Sequence, residues 1–328
     1  ILVKPPCTIQ ASRRAMPSRP ADADPAELRH VLRALALART PGWNFPGHFL
    51  ALSFDEVGED ESLLSLEPGP HCVTGDGAQS LAALAVLADV GLAACMRRRV
   101  GLASRMATVT MTLQFNGQRA EGKLEARGAF DGFVVGAQGE QGLGRLVIRA
   151  GERVVCTGSG SFMALGNPPG AAPLPMLRRS EQPDAGPLSP SDLRGEECRV
   201  YERALSALQE RGEASFVDRF FGLVPRHVAG GATCEFENGL HVGNRVGHTQ
   251  GGITWALGVA TAMKALDGHW RLVGASACYL APGTGPRLHA EANVLHKGRL
   301  TAVVRARVLD GKGRAVLEVL SHHARGAP

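Results

Sequence analysis

The chain has 328 residues, 44% of them hydrophobic and only 5% aromatic, which is enough for two domains of ordinary size with separate cores. Its formal charge of +5 looks basic, but Lys4, Arg13, Arg14 and Arg19 lie in a first stretch that holds no acid, and removing them leaves a near-neutral body and no charge argument for nucleic acid. Seven cysteines with no CxxC pair and no Cys/His cluster at metal spacing give neither a disulfide framework nor a zinc site; they fit buried thiols in the reducing cytoplasm, with no metal and no cofactor expected.

Residues 1–23 read as a leader, disordered or added upstream; the part before Met16 has an acid-free, arginine-bearing targeting segment as its alternative. A first domain is expected over 24–165, a proline-rich linker over 166–190 and a second domain over 191–328. The first domain opens with a helix from Pro25 to about Thr40, closed by Gly42. Strands are predicted near His48–Phe54 and Ser62–Glu67. A loop over Pro68–Gly77 leads into a helix from about Ala78 to Arg98 that is apolar nearly all round, as a core helix is. Its apolar run, Ser80–Met96, is short for a membrane span and carries Asp89 at its middle, so no membrane segment is expected.

Ala107–Phe115 alternates strictly, and further strands are predicted over Gly122–Ala129, Gly132–Ala137, Gly144–Ala150 and Arg153–Leu165. The second domain repeats the order. It has a helix over about Ser191–Arg211, a strand near Val228–Phe236, a loop through Gly239–Thr249 and a core helix over about Gln250–Leu266. Strands follow near Arg271–Ala281, Arg287–His296, Leu300–Asp310 and Ala315–His323. A long helix followed by consecutive strands, twice over, predicts an α+β fold of two sheets, each wrapped around its own helix.

The repeat is visible in single residues. Glu67, Gly69, His71 and Gly77 recur as Glu237, Gly239, His241 and Gly247, while Asp89 meets Val259 and Leu81-Ala82 meets Gly251-Gly252. Each copy has what the other lacks: a carboxylate in the first helix, a glycine pair at the start of the second. His71 and His241, present in both, are expected to be structural.

Asn244-Arg-Val-Gly-His248-Thr-Gln250-Gly251-Gly252, its helix, Tyr279-Leu-Ala-Pro-Gly283 and Val294-Leu-His-Lys-Gly-Arg299 together resemble the hotdog-fold acyl-CoA thioesterases of the phenylacetyl-CoA and 4-hydroxybenzoyl-CoA branch. In the first half, Leu87-Ala88-Asp89-Val90-Gly91 is similar to that family's helix around its catalytic acid. The resemblance implies two fused hotdog domains and an acyl-CoA or other acyl thioester substrate, with a homodimer of the fused unit left open. By residue, it implies Asp89 as general base or nucleophile, Gly251 N–H as oxyanion donor, Gly252 in close packing at the helix start and Asn244 orienting water or the thioester carbonyl. Gln250 stands where the family has histidine.

Thioester hydrolysis needs a donor for the developing oxyanion, which the free N–H groups and dipole of a helix N-terminus supply, and a carboxylate. An acid eight residues after the first glycine lies about 12 Å along the same helix, so a single helix cannot present both groups to one carbonyl. Asp89 of the first copy facing Gly251 of the second gives one complete site, and the reverse pairing of Val259 with Leu81 gives none.

Thr108 matches a serine or threonine that assists the acid in part of the family, although strict alternation favours a solvent-facing position. His248 is a further substrate-side candidate. Lys297 and Arg299 stand where family members hold CoA phosphates, and Arg97-Arg98-Arg99 fits a dipole-complementing helix end. Rival readings are a hotdog dehydratase or hydratase, whose proline is missing at Ser80, and a non-catalytic acyl-CoA binder.

Overall fold

The computed structural model describes residues 25–40, 44–102, 104–166 and 176–326. The leader, Gly42 and the centre of the linker lie outside these residues.

The first half begins with α1 (Ala26–Ala38), which buries Val31, Leu32 and Leu35. Next comes α2 (Phe45–Phe49), started by Pro46 and by Asn44, whose side chain accepts from Gly47 N. This helix replaces the first part of the strand predicted over His48–Phe54; the strand itself, β1, is Ser53–Val57. After β2 (Glu61–Leu66) comes the core helix α3 (Leu81–Ala94), capped by Ser80 Oγ, and then a short α4 (Arg97–Val100). Four strands follow: β3 (Arg105–Phe115), β4 (Leu124–Phe133), β5 (Gln141–Ala150) and β6 (Arg153–Leu165). The strands predicted over Gly122–Ala129 and Gly132–Ala137 are in fact one, β4, because the ladder continues past a bulge between Phe130 and Gly132.

The second half repeats this order: α5 (Glu196–Gln209), α6 (Phe216–Phe221), β7 (Arg226–Val228), β8 (Gly231–Glu237), α7 (Gly251–Lys264), β9 (Trp270–Tyr279), β10 (Arg287–Lys297), β11 (Thr301–Asp310) and β12 (Ala315–Arg325). The strand predicted over Val228–Phe236 is a hairpin, turned at Gly230 with φ +79°. Helix α6, not predicted, is the second-half counterpart of α2.

All twelve strands form one antiparallel sheet, in the order β1-β2-β4-β5-β6-β3-β9-β12-β11-β10-β8-β7. The order reads the same from either edge. The halves join through β3 and β9, with Thr110 opposite Cys278 and Gln114 opposite Gly274, and Thr112 donates to Ser276 Oγ at 3.1 Å. Helix α3 packs on the first-half strands, α7 on the second-half strands, and the two helices pack on each other.

The loops before the two core helices match in detail. The isolated bridge Val73–Gln79 recurs as Gly243–Thr249, and Ser80 N to Cys72 O at 2.7 Å recurs as Gln250 N to Val242 O at 2.9 Å. Away from the two core helices, α2 and α6 meet through phenylalanines, Phe49 lying tilted against Phe220 at 4.7 Å and edge-on to Phe221 at 5.2 Å. Full burial of each such ring is worth about 1.5–3 kcal/mol, so this cluster is a second hydrophobic joint between the halves.

Candidate active site

Helix α3 is apolar on every side except at Asp89, which is only 7% exposed. An ionised carboxylate there requires partners, and two side-chain donors supply them. Thr108 Oγ1 donates to Oδ1 at 2.7 Å, and Gln250 Nε2 donates to Oδ2 at 2.7 Å from the other half of the chain. The backbone N–H of Gly252, in the first turn of α7, faces the carboxylate and favours its charged form. Burial is the dominant influence and pushes the carboxyl up to about 6, opposed by the Thr108, Gly252 and Gln250 hydrogen bonds and by the charge of Arg97.

The first turn of α7 lies against this carboxylate. A Cβ on Gly251 would stand 2.9 Å from both Asp89 oxygens and from Thr108 Oγ1, so a side chain there would fill the reaction space. A Cβ on Gly252 would stand 2.4 Å from the Ala85 carbonyl oxygen, so the second glycine sets the approach of α3 and α7. Gln250 caps α7 by accepting from Ile253 N at 2.9 Å while its amide donates to Asp89. Gly251 N–H makes no hydrogen bond among the described residues and points out of the positive end of α7. Tyr279, the last residue of β9, donates its hydroxyl to Gly251 O at 2.8 Å and fixes that first peptide.

Thr108 reaches Asp89 because of an irregularity in β3. Thr108 pairs with Phe162 and Thr110 with Ser161, leaving Val109 bulged. One extra residue reverses the alternation, so Thr108 lies on the inner side with Met111 and Leu113 instead of facing solvent.

Asp89, Thr108, Gln250, Gly251, Asn244 and His248 all line one cavity of about 420 Å³. Asn244 Oδ1 accepts from Val246 N at 3.0 Å and from His248 N at 3.1 Å, so its oxygen is committed to the turn and only its amide nitrogen is available to a ligand. Lys297 and Arg299 are not brought to this cavity; Lys297 pairs with Asp267 at 2.8 Å. His71 is buried against His30, ring centroids 3.9 Å apart, and His241 meets Phe220 edge-on at 6.0 Å, as expected of structural residues. Sequence reasoning gave no site role to Tyr279, Arg105 or Arg245, and read Arg97 only as a helix-end cation; all four line the cavity. The signal for Tyr279 was its correspondence to Phe115 at the end of the equivalent strand.

The reverse position holds none of this chemistry. Val259 stands for Asp89, Leu81 for Gly251, Ser80 for Gln250 and Phe115 for Tyr279. A bulge at Val273 matches that at Val109 and puts Leu272 where Thr108 would be. Trp255, fully buried at the position equivalent to Ala85, packs on Phe115 at 6.4 Å.

Among the described residues no group of three or more His, Cys, Asp or Glu could hold a metal ion, and no helix is long and apolar enough to cross a membrane. Neither a protein-family model nor a curated protein matches the sequence. Solved structures do. A protein from Lactobacillus plantarum given the provisional name oleoyl thioesterase is 10% identical over 83% of this chain and 98% of its own, with a TM-score of 0.52. A protein of unknown function with a hotdog fold from Alicyclobacillus acidocaldarius is 12% identical over 85% of this chain and 97% of its own, with a TM-score of 0.50. The chain has the hotdog fold.

Proposed function

We propose that the chain is two hotdog units fused in tandem, 24–165 and 191–328, joined by the linker 166–190, and that it hydrolyses an acyl-CoA or related acyl thioester at one composite site. The observation that carries this reading is the carboxylate of Asp89 held against the first turn of α7, from the opposite half of the chain.

In this reading the thioester carbonyl oxygen points at Gly251 N–H, with the Asn244 amide nitrogen as a second donor. Asp89 takes a proton from water, and the water oxygen bonds the carbonyl carbon as the C=O electron pair moves onto oxygen. The α7 N-terminus stabilises that charge. Collapse re-forms the carbonyl and breaks the C–S bond, and the thiolate recovers the proton from Asp89. Thr108 and Gln250 each bind one carboxylate oxygen and fix the group in place, which suits a base acting on a positioned water better than a nucleophile that must move onto the carbonyl carbon. A carboxyl pushed up to about 6 is a stronger base than an ordinary aspartate and is still ionised at neutral pH.

A panel of acyl-CoA thioesters, followed by a thiol reagent and by loss of enoyl absorbance, tests the function. Thiol release is expected. Hydration of enoyl-CoA without thiol release would make the protein a hydratase, and tight binding with neither reaction would make it a binder.

A further inference from the structure

The cavity that holds Asp89 is also lined by Arg97, Arg105 and Arg245, and Asp89 is its one carboxylate among the described residues. Guanidinium groups thus outnumber carboxylates along this largely apolar lining. Burial and the charge of Arg105 both depress His248, which therefore adds no charge. Several other arginines of this chain pair with acids, as in Arg99 with Asp60 at 2.8 Å and Arg305 with Glu318 at 2.9 Å. Arg97 and Arg105 form no ion pair among the described residues. Arg97 is only 7% exposed, and its guanidinium donates to the Ser104 carbonyl. Burial, then the neighbouring Arg245, pull it down to about 10, with Asp89 opposing.

The positions are ordered. Asp89 and Ala93 lie one turn apart on α3, Arg97 begins α4 just beyond that helix, and all three line the same cavity. Ala93, Ala94 and Phe54 give the same cavity an apolar wall. A buried guanidinium is costly without an anion, and its planar fork suits a carboxylate or a phosphate.

Resting on the hydrolase reading above, we propose that Arg97, flanked by Arg105 and Arg245, is an anion subsite of the reaction cavity, taking a negatively charged group carried by the thioester itself. The group is either a carboxylate on the far end of the acyl chain or a phosphate of the thiol carrier, and the burial of Arg97 favours the carboxylate.

Three substrates separate the sources: glutaryl-CoA, pentanoyl-CoA, and the pentanoyl thioester of N-acetylcysteamine, which has no phosphate. The expected result for Arg97→Gln is a kcat/KM for glutaryl-CoA lowered at least about tenfold more than that for pentanoyl-CoA. Equal loss on both CoA esters, with the N-acetylcysteamine ester unchanged, would assign the subsite to carrier phosphate. Equal loss on all three, or loss on none, would overturn the subsite. Arg105→Gln, at a less buried position, carries the same comparison if Arg97→Gln does not fold. Calorimetric binding of glutarate and of CoA needs no turnover and separates failure of the hydrolase reading from failure of the subsite. Weakening of either by about tenfold in the variants supports the subsite, and no binding, or unchanged binding, of both overturns it.

Discussion

Asp89 is a single acidic residue in a helix otherwise built to be buried, and its two side-chain hydrogen bonds come from opposite halves of the chain, Thr108 on β3 and Gln250 at the start of α7. Thr108 is the partner whose removal is easiest to read. Its hydrogen bond lowers the carboxyl against the larger effect of burial, so Thr108→Val should move Asp89 further up. The acidic limb of the rate against pH, expected near 6 in the unaltered protein, should then shift to higher pH while the alkaline plateau falls only modestly. An unshifted limb would mean that Asp89 is not the group titrating in the reaction. Thr108 also shows where residue-level reading stops. Alternation from Ala107 to Phe115 is a real strand signal, but nothing in it marks the bulge at Val109 that turns Thr108 inward. The three consecutive arginines are similar: Arg98 bonds the Val57 carbonyl, Arg99 pairs with Asp60, and Arg97 enters the cavity, a division set by helical rotation and the packing around it.

At the scale of elements, the crossing of α3 and α7 decides whether the site exists. A Cβ at Gly252 would run into the Ala85 carbonyl and the Val86 backbone, neither of which can move like a side chain. Gly252→Ala should therefore force the helices apart, costing about 1–3 kcal/mol in chemical denaturation and separating Gly251 from Asp89, with turnover falling by more than the loss of stability explains. Full activity at unchanged stability would show that the helices have slack there. The core helices were legible because their apolar runs and the preceding loop recur at one spacing. Helices α2 and α6 were not, because Phe45–Phe49 and Phe216–Phe221 are too short for helical periodicity to emerge, and their role is visible only as aromatic contacts between the halves. The β7–β8 hairpin was hidden by a tight turn inside one apolar stretch.

Across the whole molecule, pH acts on stability through buried groups of opposite sign. Burial holds His48 and His71 down to about 3 and His323 down to about 4, so each favours the native state fully above the unfolded histidine pKa of about 6.5 and loses that contribution as pH falls toward its folded value. Asp89, raised to about 6, acts in reverse and makes the native state more favourable as pH falls through 6 toward 4. Three histidines outweigh one aspartate, so thermal unfolding followed from pH 7 to 5 should show falling stability. Asp89→Asn should be more stable than the unaltered protein at pH 7, and that advantage should shrink toward pH 4. A rise in stability on acidification would contradict the assignment of these histidines as neutral and buried.

The central claim is that one carboxylate from the first half serves a helix N-terminus from the second. Steady-state thiol release by Asp89→Asn, with folding verified and substrate binding measured separately, tests it most directly. The amide keeps the shape of the site but cannot accept a proton. The expected result is a loss of about 10²–10⁴-fold in kcat with substrate binding retained, while Val259→Ala, at the equivalent position of the other helix, remains active. Turnover at the unaltered rate in Asp89→Asn would contradict the composite site.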